Sequence, residues 1–382
     1  MYTPLLLHGI QIRTMNIIDN DISASLQQQV KEAIASHTPL YIHGGNSKLF
    51  HGNPVDATPL DVSAHTGIIN YDPSELCMTV RAGTKLSDVE ALLAKNNQIL
   101  AFEPPHYLYN KQDTATIGGA IVSGIAGPSR AYTGSVRDSI LGVNIINGSG
   151  EIANFGGEVM KNVAGYDLSR MMVRSQGTLG ALLNVSVRVI PKPEHNITLA
   201  FEASQSEALS YLQALRKKTL PITATAWLDN TVSIRLSASE PVLQSCKEKI
   251  KGDERLNADS FWQDIRDHQH EFFTAKKHSD KPLWRFSLPP ATAEKIQLDG
   301  DELIEWSGAQ RWIHSNAPAN IINNIAKSLN GYASLFNDTT NSNNDISRFP
   351  ELEPALFALH KQLKKQMDPQ SIFNPNRIYR GL

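Results

Sequence analysis

The segment His43-Gly-Gly-Asn-Ser-Lys48 holds no bulky apolar residue and follows directly on the short apolar run Leu40-Tyr-Ile. Glycine tolerates positive φ and lets a ligand approach the main chain, so Gly44 and Gly45 can turn several N–H groups to one side as an anion nest. Asn46 and Ser47 add donors, and Lys48 adds charge. A lone Gly-Gly pair reads first as a tight surface turn, and a second loop moves the reading toward binding. That loop, Thr114-Ala-Thr-Ile-Gly-Gly-Ala-Ile-Val-Ser-Gly124, is followed by Gly127-Pro-Ser-Arg-Ala-Tyr-Thr-Gly134. So many small residues allow an extended diphosphate to lie on bare backbone, with Thr116, Ser123 and the amides of Gly118 and Gly119 as donors. Close strand–helix packing would demand the same glycines. The two loops together predict a dinucleotide site.

Other chemistries lack their residues. Gly148-Ser-Gly-Glu-Ile-Ala153 fits G-x-G-x-x-G/A, but that fingerprint needs a strand before it and a helix after it. Here it falls in a predicted β-hairpin, Leu141 to Ile146 and Glu151 to Phe155, turning at Asn147-Gly148. No P-loop, H-E-x-x-H or G-x-S-x-G sequence occurs. The two cysteines, Cys77 and Cys246, cannot supply the four thiolates of an iron–sulfur cluster or a disulfide framework; no metal site is expected, and a reducing compartment fits. With 36 Lys and Arg against 38 Asp and Glu, and no basic stripe, neither nucleic acid nor an anionic membrane is an expected partner. The start has no basic n-region and no stretch approaches eighteen apolar residues, so neither a standard secretion signal nor a membrane span is expected.

The elements that must position the loops read as α+β. Ser23 to Ser36 has helical spacing at Leu26, Val30, Ala33 and Ile34, and Leu40 opens a strand that ends at Gly44. Leu76 to Ala82 reads as a strand, and Ser87-Asp-Val-Glu90 as a capping box opening a helix. After Lys192-Pro193 glycine thins out and a βαββα order occurs twice. The first pass runs through Ile197–Phe201, a helix from Ser206, Thr223–Leu228, Val232–Leu236 and a helix from Pro241. The second runs through Leu283–Leu288, a short helix near Ala293, Leu303–Trp306, Gln310–His314 and a helix from Ala319, then a strand from Tyr332. A polar linker, Thr339 to Ser347, precedes a last helix whose Leu352, Leu356, Leu359, Leu363 and Met367 share a face expected to be core.

These residues resemble the PCMH-type FAD-binding domain, the flavin domain of the vanillyl-alcohol-oxidase family, and within it are similar to the FAD-binding subunits of glycolate oxidases. The likeness is carried by Thr79-Val-Arg-Ala-Gly-Thr84, Phe102-Glu-Pro-Pro-His106, Ile117-Gly-Gly-Ala120, Val136-Arg-Asp138, Leu141-Gly-Val143, and above all Gly156-Gly-Glu-Val-Met-Lys-Asn-Val-Ala-Gly-Tyr-Asp-Leu-Ser-Arg170. Gly177-Thr-Leu-Gly180 and the tail Ile372-Phe-Asn-Pro, with Arg377 and Tyr379, extend it; residues 195–345 carry little. The resemblance implies an FAD domain of two α+β subdomains (1–193), a cap whose antiparallel sheet is covered by helices (194–345, the duplicated unit), and a C-terminal helix and tail returning to the FAD domain (346–382). It implies FAD contacts from His43, Gly44, Gly45, Asn46, Ser47, Lys48, Pro105, Thr116, Ile117, Gly118, Gly119, Ser123, Gly124, Tyr132, Gly134 and Gly180. Relatives that bond FAD covalently often have histidine where Asn46 stands, so non-covalent FAD is implied.

The resemblance further implies a cytoplasmic subunit, at most peripheral at the inner face of the cell membrane, that works with a catalytic flavin subunit and an iron–sulfur subunit on a small 2-hydroxyacid. The catalytic subunit's His-x-Gly-Asp-Gly-Asn-x-His motif is missing here, Arg174 stands where the family has a small residue, and Leu183 where many relatives have threonine. Two alternatives stay open: a stand-alone FAD-dependent 2-hydroxyacid (D-lactate type) dehydrogenase, and a non-catalytic scaffold. Oxidising a 2-hydroxyacid needs a cation for the carboxylate and a base for the hydroxyl. Arg235, His268, Arg285, Arg311 and His314 are the cap's candidates, each reading first as a residue on a solvated strand face or helix, and no catalytic residue is assigned. Arg137-Asp138 reads as a surface ion pair; Lys161 and Tyr166 could serve the flavin, a partner or packing.

Overall fold

A computed structural model describes residues 17–157, 168–278, 280–337 and 346–382. Lys161 and Tyr166, most of the Gly156–Arg170 block and most of the polar linker lie outside the described residues. The flavin-type half is built in two parts. In the first, helix Ser23–Ser36 buries Leu26, Val30 and Ala33 against Leu40, Leu60, Ile146 and Leu183, beneath a parallel pair of strands, Leu40–His43 and Thr58–Asp61. In the second, a five-stranded antiparallel sheet runs in the order Ile68–Asp72, Cys77–Arg81, Ala181–Arg188, Ile140–Ile146, Ile152–Gly156. Its core includes Met78, Val80, Val185 and Val187, closed over by Leu86, Val89 and Leu93 of helix Leu86–Lys95 and by Ile117 and Ile121 of helix Ile117–Ser123.

An eight-stranded sheet forms the other half, in the order Asp253–Glu254, His195–Glu202, Thr231–Ala238, Ile222–Leu228, Glu302–Glu305, Gln310–His314, Leu283–Ser287, Tyr332–Asn337. Every pairing in it is antiparallel. The two sets of three strands meet in mirrored order, joined where Ala226 faces Glu305. Helices Gln205–Leu215, Glu240–Lys247 and Ala319–Ser328 bury apolar faces through Leu209, Leu212, Leu243 and Ile322. Tyr107 and Ile125 of the first half enter this sheet's apolar cluster beside Phe261, Trp312 and Phe336. Among the described residues, no helix is long and apolar enough to cross a membrane.

Four local expectations are corrected. The Ser87 capping box does not form: the helix begins at Leu86, whose N–H donates to Ala115 O and whose side chain is buried, and Glu90 turns instead to His106. There is no helix near Ala293; the chain follows Pro289-Pro290 as a loop whose Thr292 and Glu294 carbonyls accept from Arg311. The apolar stripe of the last helix, Pro354–Met367, is not sealed core. Leu356 and Leu359 are 44% and 61% exposed, Leu363 and Met367 reach the five-stranded sheet's core only partly, and the one fully buried member is Lys364. Asp138 pairs with Ser135, accepting from its N–H and hydroxyl at 2.8 Å each as a helix cap, rather than with Arg137.

Candidate functional site

A cavity partly open to solvent lies between the parallel strand pair and helix Ile117–Ser123. His43, Gly44, Gly45, Asn46, Ser47, Lys48, Thr116, Gly118, Gly119, Ser123 and Gly180 all line it. The Gly44–Lys48 loop has a defined polarity. In a planar trans peptide the carbonyl and the following N–H point opposite ways, so holding the carbonyls fixes the amides. His43 O accepts from Val62 N at 2.9 Å, Gly44 O from His43 Nδ1 at 3.1 Å, Gly45 O from Thr114 Oγ1, and Asn46 O from Leu49 N at 3.0 Å. The amides of Gly44, Gly45, Asn46, Ser47 and Lys48 then donate to no acceptor among the described residues. Asn46 takes the left-handed conformation, φ 58°, that such nests use.

Glycine is required at specific points. A Cβ on Gly45 would strike Thr114 O, and one on Gly118 would lie 2.6 Å from the Ala82 Cβ and 2.7 Å from its carbonyl, closing the approach of helix to strand. A Cβ on Gly119 would meet only Thr116 Oγ1, at 3.2 Å, which leaves its other side bare. Thr116 caps the helix by accepting from Gly119 N at 3.1 Å.

The charged groups are tuned by burial. Lys48 donates to Pro105 O at 3.1 Å; burial pulls Lys48 down to about 8, although Asp113 and Asp267 act to raise it. His51, also lining the cavity, is pushed well below the usual histidine range by burial and then by Arg174, Arg285, Arg377 and Lys48, and so is neutral at pH 7. Buried Gln176 presents an Oε1 with no hydrogen-bond partner among the described residues.

Five expected contacts stand elsewhere. Pro105 is buried and is not among the lining residues. Ile117 is fully buried core; Gly124 ends its helix at φ 61° with the Arg174 stem against it. Tyr132 binds the cap, to Ser307 at 2.6 Å and Thr225 at 3.2 Å, and Gly134 (φ 101°) turns the chain into the Ser135 cap. The reading of the glycine loops missed Tyr41, His51, Val62, Gln176, Asn374 and Arg377 as lining residues, and Thr114 as a support. Asn374 and Arg377 had a signal in the tail motif and Gln176 in the Gly177–Gly180 motif beside it, whereas His51 carried none.

The cap candidates separate by what their side chains already hold. Arg235 pairs with Glu103 at 2.6 Å across the two halves. Arg311 is fully buried and donates to the carbonyls of Gly308, Thr292 and Glu294. His314 stacks on His278 at 4.2 Å and meets Phe272 O at 3.0 Å; His268 stacks on Phe273 at 3.8 Å, and burial takes it to about 3. Arg285 differs. Its Nε donates to Gln310 Oε1 at 2.7 Å, Gln310 is held in turn by buried Glu305 at 2.9 Å, and Trp306 and Trp312 flank the guanidinium. Its Nη atoms have no hydrogen-bond partner among the described residues, and Arg285, Arg174 and Tyr332 form one electrostatic cluster. Burial raises Tyr332, but the two guanidiniums outweigh it and bring the phenol to about 8.

A mixed α+β flavin-type half with a backbone nest, joined to an antiparallel cap, defines an FAD-binding oxidoreductase of the PCMH type. The family described as "FAD binding domain" matches residues 22–156. Glycolate oxidase subunit GlcE of Escherichia coli (strain K12) is 44% identical over 362 residues, covering 95% of this chain and 99% of that one, and the chain belongs to its family. D-lactate dehydrogenase of Archaeoglobus fulgidus is 22% identical, covering 100% of this chain and 95% of the relative. A solved structure of alkyldihydroxyacetonephosphate synthase superposes with a TM-score of 0.62 over 93% of this chain and 76% of that one, and at 14% identity it is evidence of shared fold alone.

Proposed function

We propose that this chain is the FAD-binding subunit of a glycolate (2-hydroxyacid) oxidase complex, holding FAD non-covalently in the cavity between the Gly44–Lys48 loop and the Gly118–Gly119 helix. The observation that carries this reading is the run of five amides from Gly44 to Lys48 with no acceptor of their own, facing a cavity bare of side chains at Gly119. Those amides, Ser47 and the Lys48 ammonium would hold the diphosphate. Asn46, an amide side chain, offers no nucleophile for a covalent flavin bond. Bound flavin supplies two-electron redox chemistry. Neutral His51 borders the nest without adding charge, and Lys48, with a lowered proton affinity, gains its full charge when an anion arrives.

On this reading residues 1–193 form the FAD domain, 194–345 the cap and 346–382 a returning helix and tail. The two separate sheets and the tail's contacts with Leu40 and Ile42 support that division. Partners would be a catalytic flavin subunit and an iron–sulfur subunit passing electrons toward the membrane, with this chain cytoplasmic and at most peripheral. The GlcE relative's name supports the assembly, and two cysteines cannot hold a cluster here. A second reading, a stand-alone 2-hydroxyacid dehydrogenase, is favoured by Arg285, which is held and flanked in the cap yet has free Nη donors for a carboxylate. Anaerobic glycolate or D-lactate added to the FAD-loaded chain separates the two. The subunit reading expects flavin that stays oxidised alone and bleaches only in the reconstituted complex, and bleaching of the isolated chain would replace it with the second reading. A purified chain without stoichiometric FAD would leave the scaffold.

A further inference from the structure

The C-terminal tail reaches both sides of the nest from more than 300 residues away. Phe373 bridges to Leu40 alongside the first strand; Leu40 N donates to Ile372 O at 2.7 Å and Asn374 N to Leu40 O at 2.9 Å. The Asn374 side chain accepts from Ile42 N at 2.7 Å, two residues before the nest, and donates at 2.6 Å to the carbonyl of Gln176, which also lines the cavity. The Arg377 guanidinium collects the carbonyls just after the nest, Leu49 O at 3.0 Å, His51 O at 2.8 Å and Asn53 O at 2.7 Å. The tail is itself anchored. Lys364 Nζ, buried, donates at 2.7 Å to Asp368, Thr178 O and Phe373 O, and Asp368 accepts from the N–H groups of Ile372 and Phe373.

We propose that Asn374 and Arg377 are positioning residues of the FAD site: they bracket the Gly44–Lys48 nest, holding the strand before it and the carbonyls after it so that its amides face the cavity before cofactor arrives, with the Lys364–Asp368 pair locking the tail. This rests on the FAD reading above. The physical reason is pre-organisation: a loop rich in glycine has many conformers, and each one excluded beforehand is entropy not lost on binding. Arg suits the task because its fan of donors can satisfy several carbonyls of one loop at once, which a point-charge ammonium cannot. Neither side chain needs to touch the diphosphate, so the expected effect falls on the affinity for anything carrying that group.

The test uses the full chain, purified with FAD and stripped of it, and reads FAD and ADP affinity beside thermal midpoints with and without FAD. Arg377→Gln and Asn374→Ala are each expected to weaken both FAD and ADP at least tenfold and to shrink the rise in midpoint that FAD brings. Arg377→Lys, which keeps charge and some donors, is expected to recover part of that loss. Lys327→Gln, at an exposed pair with Glu353, calibrates the scale and is expected to bind as wild type. The proposal is overturned if the variants lower stripped and loaded midpoints equally while FAD and ADP affinity stay within twofold, the pattern of a merely structural tail. Should Arg377→Gln or Asn374→Ala fail to fold, Arg377→Lys and Asn374→Ser are judged by the same comparison. A wild-type chain that takes up no FAD overturns the parent reading instead, and does so before any variant is made.

Discussion

The two halves of this molecule prepare for ligands in opposite ways. Around the first cavity the side chains withdraw and the main chain is left exposed: carbonyls 43–46 all have donors, and the amides after them are left without acceptors. In the cap the main chain is consumed by an eight-stranded sheet, and what distinguishes one residue from another is whether its side chain is already spent. Arg235, Arg311 and His314 have partners; Arg285 is held at one nitrogen and, among the described residues, has no hydrogen-bond partner at the other two. A backbone site is specified by what is missing, whereas a side-chain site is specified by partners that sequence does not reveal.

The sharpest way to break the contrast is to put a side chain into the nest. Gly45→Val sets Cβ against Thr114 O, and flavin content per chain is expected to fall more than tenfold by absorbance while the far-UV spectrum is kept. Next in size is a matched pair in the cap. Arg311→Gln leaves buried carbonyls without donors and is expected to cost about 3 kcal/mol in denaturant unfolding. Arg285→Gln is expected to cost under about 1 kcal/mol, and it should alter flavin reduction if the cap binds a carboxylate. Equal destabilisation by both would erase the distinction between a spent and an available arginine.

A further test is in pH. Lys48 sits at about 8 in the folded chain against 10.5 in its ordinary state, so between pH 8 and 10.5 the unfolded chain binds more protons than the folded one. The FAD-free chain should therefore gain stability as pH rises through that window, in thermal melts, and Lys48→Met should remove the gain. FAD affinity should move the other way, falling as pH climbs past 8, because the diphosphate favours the charged form.

The helix from Ser23, the strand ending at Gly44, the hairpin around Asn147-Gly148 and the cap's order of strands were legible because each rests on local periodicity or turn chemistry. The helix expected near Ala293 failed because two prolines and Arg311 claim that stretch, and the last helix's leucines stay exposed because its anchor is the buried Lys364–Asp368 pair. His51 was invisible for a different reason: nothing in its neighbours says that it borders a cavity.

Sequence by itself determined where bare backbone could meet a diphosphate, since only glycine at positions 45 and 118 leaves room for Thr114 O and Ala82. Tertiary structure decided which way that backbone faces. Thr114 holds Gly45 O, and the tail's Asn374 and Arg377 bind the strand before the loop and the carbonyls after it; a hydrogen bond between residues up to 332 positions apart leaves no periodic trace along the chain.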